Sequence, residues 1–281
     1  MFYKTKGDKI ICQLCSHYCQ LKEGQTGICG VNANEDGNLT CKVYGYPSAL
    51  HVDPIEKKPL YHFLPHTNTL SFGTVGCNFK CPFCQNWQIS QTDKFSKENY
   101  ISPKEMVRLA LHHHCPSISY TYNEPTIFFP YIKDIAIEAK KVGLKNIMVS
   151  NGFMSKELCE EIPNYIDAIN IDIKSFDKSY YKKSLKGDLD VVLANAKTLK
   201  QKGLHVEITT LMIPSIDEAQ VEAIAKFISS ELGTDTPWHL SAYHPDFKML
   251  DGEKTPLETL KKAYNIAKKY GIQNVYLGNV I

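Results

Sequence analysis

The chain has 281 residues, 43% of them hydrophobic and 22% charged, with a formal net charge of +2, which is enough for one large domain or one domain with a small appendage. So small a net charge gives no basis for a nucleic acid or an anionic membrane as partner. No apolar run approaches the roughly 18 residues of a membrane span, and the start MFYKTKGDKI lacks a signal peptide's apolar core, so a cytoplasmic protein is expected.

Residues 1–45 hold half of the ten cysteines. A reducing compartment disfavours disulfides, and close clustering then reads as metal ligation. Cys12, Cys15, Cys19 and Cys29 form C-x2-C-x3-C-x9-C. Four thiolates can close a structural zinc site or hold a second [4Fe-4S] cluster. The spacing does not choose between them, and His17 or Cys41 could replace one ligand. With only Leu14, Leu21, Ile28 and Val31 as larger apolar groups, this segment reads as a small metal-stapled subdomain. Residues 46–66, rich in Pro and His, read as an ordered connector. The expected division is therefore 1–66 and 67–281.

From Leu70 onward short β-rich runs alternate with helical patterns. The strands are expected at 70–75, 117–121, 146–150, 168–173, 205–211, 238–243 and 274–277. The helices are expected at 103–113, 126–142, 155–162, 189–202, 217–232 and 256–270. Ser102 before Pro103 marks a helix start. Gly143, Gly203 and Gly271 mark helix ends. His112, His113 and His114 point in different directions on a helix and read as a solvated helix end. Cys115 and Cys159 read as ordinary buried thiols. Alternating strands and helices imply parallel βαβ units. The fold class is α/β, a partial (β/α)6-type barrel with the Cys-rich segment attached. A doubly wound open sheet is the rival.

The barrel is preferred because polar or special residues recur just after the strands, where β/α barrels collect their chemistry. Gly76-Cys77-Asn78, Asn123-Glu124-Pro125, Ser150-Asn151-Gly152, Asp172 with Lys174, Ile213-Pro214 and His244-Pro245 follow six successive strands. The central motif is GCNFKCPFCQNW, C-x3-C-x2-C at Cys77, Cys81 and Cys84. Three thiolates can hold three irons of a [4Fe-4S] cube, leaving the fourth iron open to a ligand. A zinc site with a distant fourth ligand is the alternative. Gly76 and the strand before the motif, with Phe83 between its last two cysteines, argue against zinc.

GCNFKCPFCQN resembles the signature of the radical S-adenosylmethionine (SAM) superfamily. CQLCSHYCQLKEGQTGICGVN, DPIEKKPLYHF, SYTYNEPT and VSNGF resemble the AmmeMemoRadiSam-system members, which are similar to pyruvate formate-lyase activating enzymes. The resemblance covers nearly the whole chain. It implies a [4Fe-4S] cluster whose open iron binds SAM, and reductive cleavage to a 5′-deoxyadenosyl radical. It also implies a reductant such as flavodoxin or ferredoxin, with Memo-like or AMMECR1-like proteins as partners or substrates.

Carried over by position, Phe83 packs near the adenine and Glu124 meets the SAM amino group, although the family's glycines before that Glu are missing. Ser150, Asn151, Asp172 and Lys174 line the SAM site, and His244 contacts ribose or adenine. Activating enzymes place an Asp before Thr-Asn-Gly that helps bind a monovalent cation. Val149 stands there instead, so that site is not implied. The residues also admit plainer roles. Glu124 suits a helix start, Lys174 can simply pair with Asp172, and His244 can cap a loop. The expected reaction is hydrogen abstraction from a peptide or protein, with glycyl radical formation as one form of it. A small-molecule substrate and an iron–sulfur electron carrier without SAM are the alternatives.

Overall fold

The computed structural model describes residues 2–280. The N-terminal segment forms β1 (Tyr3–Lys6), β2 (Lys9–Cys12) and β3 (Gln20–Lys22) in one antiparallel sheet, then the hairpin of β4 (Asn32–Glu35) and β5 (Asn38–Cys41). Asn38 follows Asp36 and Gly37, both at positive φ, in the two-residue turn that such hairpins use. Ile10, Leu14, Leu21, Val31, Ala33 and Val43 are buried, whereas Ile28, expected among the apolar groups, is exposed.

This layer is docked onto the rest of the chain. Phe2 meets Phe129 edge to face. Asn32 Nδ2 donates to Ile127 O at 2.7 Å, and Ser16 Oγ to Met154 O at 2.7 Å. Ser155 both caps the helix that follows it, accepting from Leu158 N at 3.0 Å, and donates to Gln13 O.

The main sheet has eight strands in the order β13-β12-β11-β10-β9-β8-β7-β6. In chain order they are β6 (Ala49–Pro54), β7 (Asn68–Gly73), β8 (Ser117–Tyr120), β9 (Lys145–Ser150), β10 (Ala168–Asp172), β11 (His205–Met212), β12 (Trp238–Ala242) and β13 (Val275–Gly278). β7 through β13 are mutually parallel, and β6 pairs antiparallel with β7. Helices α1 (Trp87–Ser90) and α2 (Pro103–His112) follow β7, and α3 (Phe129–Lys141) follows β8. After β9 comes α4 (Lys156–Glu161). α5 (Lys178–Tyr180) and α6 (Leu189–Gln201) follow β10, then α7 (Glu218–Phe227) and α8 (Leu257–Lys269) follow β11 and β12. Six β/α units and a closing strand make the partial barrel that the strand–helix alternation predicts. Each of β7 to β13 lies within two residues of its expected bounds. α1 and α5 were not anticipated, because four and three residues carry no periodicity.

Side chains alternate across a strand. Leu70, Phe72, Ile118, Tyr120, Ile169 and Ile171 pack outward against the helices. Many of the alternate positions, which face the lumen, are polar, with Thr69 beside Ser119, and Asn170, Glu207, Thr209 and His239 among them, while Ile147, Val149, Ala168 and Leu211 are apolar. A filled β/α barrel carries branched apolar residues there. The expected connector turns out to belong to the barrel. β6 lengthens the sheet, and the segment after it crosses the barrel floor. Ile55 and Leu60 pack on Ile147 and Ala168, Pro59 O accepts from Asn170 Nδ2 at 2.7 Å, and Glu207 accepts from the N–H groups of Tyr61 and His62 at 3.0 and 2.8 Å. Among the described residues no helix is long and apolar enough to cross a membrane.

Candidate active site

With the floor closed, the lumen opens toward the C-terminal ends of the strands as a cavity of about 650 Å³. Its wall reaches from His51 and Asp53 on one sheet edge to Asn279 beyond the other. It includes Cys77, Cys81, Phe83, Cys84, Glu124, Asn151, Asp172 and Lys174. Eight of the residues singled out from sequence thus face one space.

The cysteine loop is held by its neighbours. Gly76 has φ +86°, and a Cβ there would stand 2.5 Å from Cys29 O, so only glycine suits this junction with the N-terminal layer. Asn123 Nδ2 donates to Gly76 O at 2.9 Å, and its Oδ1 accepts from Thr74 N at 3.2 Å. Asn78 is fully buried. Its Oδ1 accepts from Asn151 Nδ2 at 2.7 Å, and its carbonyl accepts from His17 Nε2 at 2.9 Å. Phe79 packs on Phe153 and Tyr181 and crowds Gly187. Asn78 and Asn123, which the sequence places after strands without giving them a role, are positioning residues. Their position beside Cys77 and Glu124 was the available signal.

Burial pushes the Cys77 thiol well up, with the charges of Glu124 and Cys81 adding to the shift. Burial likewise takes Cys81 to about 12, although Lys174 works in the opposite direction. These thiols favour the protonated form until a cation is bound.

Glu124 is buried and forms a bridge between the loops after β8 and β9. Oε1 accepts from Thr126 N at 3.0 Å, from Thr126 Oγ1, and from Ser150 Oγ at 2.8 Å. Oε2 accepts from Asn151 N at 2.7 Å, which leaves a lone pair on that oxygen. Desolvation raises its pKa and these donors only partly restore it. Ser150 acts on this carboxylate and is not part of the cavity wall.

Lys174 Nζ lies 2.8 Å from Asp172 Oδ2. Burial alone would lower its pKa, but the charges of Asp172 and Cys81 outweigh it and raise it. His244 is exposed and lies outside the wall, its Nδ1 3.3 Å from Pro245 O. The chain leaves β12 at Ala242 and buries Tyr243, whose O–H donates to Met249 O, so the next side chain turns to solvent. Val149 lines the cavity. His112, His113 and His114 are exposed, and Cys115 and Cys159 are buried.

The N-terminal cysteines share one neighbourhood. Cys12 feels the charges of Cys29 and Cys19, Cys15 those of Cys12, Cys29 and Cys19, and Cys41 those of Cys29 and Cys12. Asn32 Nδ2 donates to Cys29 Sγ at 3.4 Å. Among the described residues no three His, Cys, Asp or Glu side chains close around a single ion. A cube that takes one iron per thiolate tolerates wider sulfur spacing than a single ion does. The unpartnered Gln85 Nε2 is a further polar group at this wall.

The radical SAM superfamily profile matches residues 72–228. An uncharacterized protein of Methanocaldococcus jannaschii is 42% identical, over all of this chain and 84% of its own length. A protein of the same organism assigned as a glycyl-radical enzyme activating enzyme is 30% identical, over 73% of this chain and 86% of its own. The crystal structure of a domain of a pyruvate-formate lyase-activating enzyme from Bacteroides vulgatus superposes with a TM-score of 0.51 at 20% identity. It covers 57% of this chain and 98% of that domain. The chain belongs to the radical SAM superfamily: it is an enzyme of that class, similar to pyruvate formate-lyase activating enzymes, and the family's cofactors are a [4Fe-4S] cluster and SAM.

Proposed function

We propose that Cys77, Cys81 and Cys84 hold the [4Fe-4S] cluster and that Phe83, Glu124, Asn151, Asp172 and Lys174 bind SAM beside it. The observation that carries this reading is that all eight side chains face one cavity of about 650 Å³. Bound together, the two cofactors supply a 5′-deoxyadenosyl radical that abstracts hydrogen. The chain's own residues orient and shield. The free lone pair on Glu124 Oε2 accepts from an ammonium, while Ser150 and Thr126 fix the carboxylate. Lys174 offers its ammonium to a carboxylate while Asp172 keeps it charged. Phe83, 3% exposed, excludes water on one side. No role is assigned to His244, given its exposure.

The substrate in this reading is a peptide or protein, with glycyl radical formation as the reaction. Relatives named as glycyl-radical enzyme activating enzymes support it. A flavodoxin or ferredoxin would supply the electron, and Memo-like or AMMECR1-like proteins are partner candidates. A reducing, cytoplasmic setting belongs to the same reading, since it would keep the cysteines available as thiolate ligands. The test is Cys81→Ala in anaerobically reconstituted protein. About four irons per chain and SAM cleavage by dithionite-reduced enzyme should both be lost from the central site. Cleavage that survives the substitution would overturn the reading.

A second metal site at Cys12, Cys15, Cys19 and Cys29 is part of the proposal, supported by the electrostatic influence of Cys12, Cys19 and Cys29 on Cys15 and by the contact of His17 with the cysteine loop. Elemental analysis of Cys81→Ala protein decides between zinc and iron there.

A further inference from the structure

The cavity has a second wall, away from the cysteine loop, that the SAM reading does not use. Asp53, on β6, accepts from Lys58 Nζ at 2.7 Å, from Lys57 Nζ at 3.2 Å and from Tyr122 O–H at 2.6 Å. Lys58 Nζ also lies 4.5 Å from the centre of the Tyr122 ring. All four residues line the cavity.

Three observations single this wall out. First, two lysines meet one carboxylate, so the cluster carries an excess of one positive charge. Second, the Lys58 side chain is only 3% exposed, yet one of its three N–H groups is engaged with Asp53 and no second acceptor is found for it among the described residues. An ammonium taken out of water needs its remaining N–H groups met. Third, on β11 across the lumen and in register with Asp172, Thr209 Oγ1, 7% exposed by residue and also lining the cavity, has no hydrogen-bond partner. A buried ion pair serving stability alone would have its donors satisfied by the protein and would not be left facing a cavity.

We propose that Lys58, supported by Lys57 and with Thr209 opposite, is an oxyanion subsite that holds a carboxylate or phosphate group of the substrate in the barrel lumen. This deepens the radical SAM reading and rests on it, because it places the group in the cavity where hydrogen abstraction would occur. Asp53 does not oppose an anion, since its charge is met by three donors. It fixes the Lys58 ammonium against Tyr122, leaving the other N–H groups toward the open space. Two sources share this chemistry, a small oxyacid and an acidic residue of a peptide.

The test is a titration of anaerobically reconstituted wild-type enzyme, followed by NMR line broadening, with three probes: inorganic phosphate, succinate and N-acetyl-Gly-Glu-Gly-amide. At least one should bind, and the probe that binds identifies the source. Lys58→Met should weaken that binding by about tenfold or more, and Lys58→Arg, which keeps the charge, should retain most of it. Thr209→Val, which changes only the hydroxyl, should weaken it by about threefold and covers the case in which Lys58→Met fails to fold. Absence of binding by all three probes, or binding unchanged in Lys58→Met or in Thr209→Val, would overturn the subsite. SAM cleavage by the reduced wild-type enzyme is measured on the same sample. Lys58-dependent binding without any cleavage would refute the radical SAM reading of the cavity and leave the anion site standing.

Discussion

Replacing Glu124 with Gln tests the carboxylate at the centre of the site. The new amide has one oxygen and one N–H₂ group where two acceptor oxygens stood. Its oxygen must take the Oε1 position, because three donors converge there, two from Thr126 and one from Ser150. The N–H₂ group then faces Asn151 N, which lies 2.7 Å from Oε2, and two donors oppose each other. Losing that charge-assisted bond costs about 1.5–3 kcal/mol. Removing a desolvated charge offsets part of the loss, since burial raises the pKa of this group. A net loss of about 1–3 kcal/mol remains, or a fall in Tm of roughly 2–10 °C for a chain of this size. The pH dependence has a definite sign. A carboxyl whose folded pKa lies above its unfolded value holds its proton more tightly when folded. Its contribution is full below the unfolded value of 4.5 and is lost as pH rises through the folded pKa. Glu124→Gln removes that dependence, so the stability gap between wild type and variant should narrow as pH rises. SAM binding, measured by calorimetry, should weaken by about tenfold or more, as expected for loss of a charge-assisted pair, while iron content stays near wild type. An unchanged Tm, or iron content falling in step with SAM affinity, would refute the reasoning.

The floor of the barrel gives a second pH prediction: Glu207, held by His205, His239 and two backbone N–H groups, has its pKa lowered from 4.5 to about 2 despite burial. It stabilises the fold by roughly 3 kcal/mol above pH 4.5, and this is lost as pH falls from there toward about 2; acid unfolding monitored by circular dichroism should lose that limb in Glu207→Gln. Gly76→Ala forces a side chain onto a backbone at φ +86° and into Cys29 O, and the left-handed strain alone is worth about 1–2 kcal/mol, so its Tm should fall and a rise would contradict the geometry. Cys15→Ser should expose residues 10–32 to protease, because this layer has few large buried groups and relies on the gathered thiols; unchanged protection would show that docking onto the barrel suffices.

Much of this enzyme was written in local sequence. The seven parallel strands and six main helices were legible because strands buried on both faces and amphipathic helices have short-range signatures that need no partner to be recognised. The cysteine motif and the polar residues after successive strands were legible for a related reason: a parallel β/α repeat sends every strand end to the same rim. The convergence of Glu124, Asn151 and Lys174 on one cavity follows from that topology. What sequence could not supply depends on contacts between distant segments. Residues 46–66 read as a connector because Pro and His obscure any period, yet β6 is recruited by β7 and the following turn is captured by Glu207, 145 and 146 residues away. Ser150 and His244 sit at or just past strand ends as Asn151 and Lys174 do, but a rotation of one residue decides which side chain faces the lumen and which turns to a neighbour or to solvent. Lys58 stands in the sequence only as part of DPIEKKPLYHF; the fold places its ammonium in the lumen beside Asp53 and Tyr122, and burial, which gives such a charge its meaning, is a property of the packed chain.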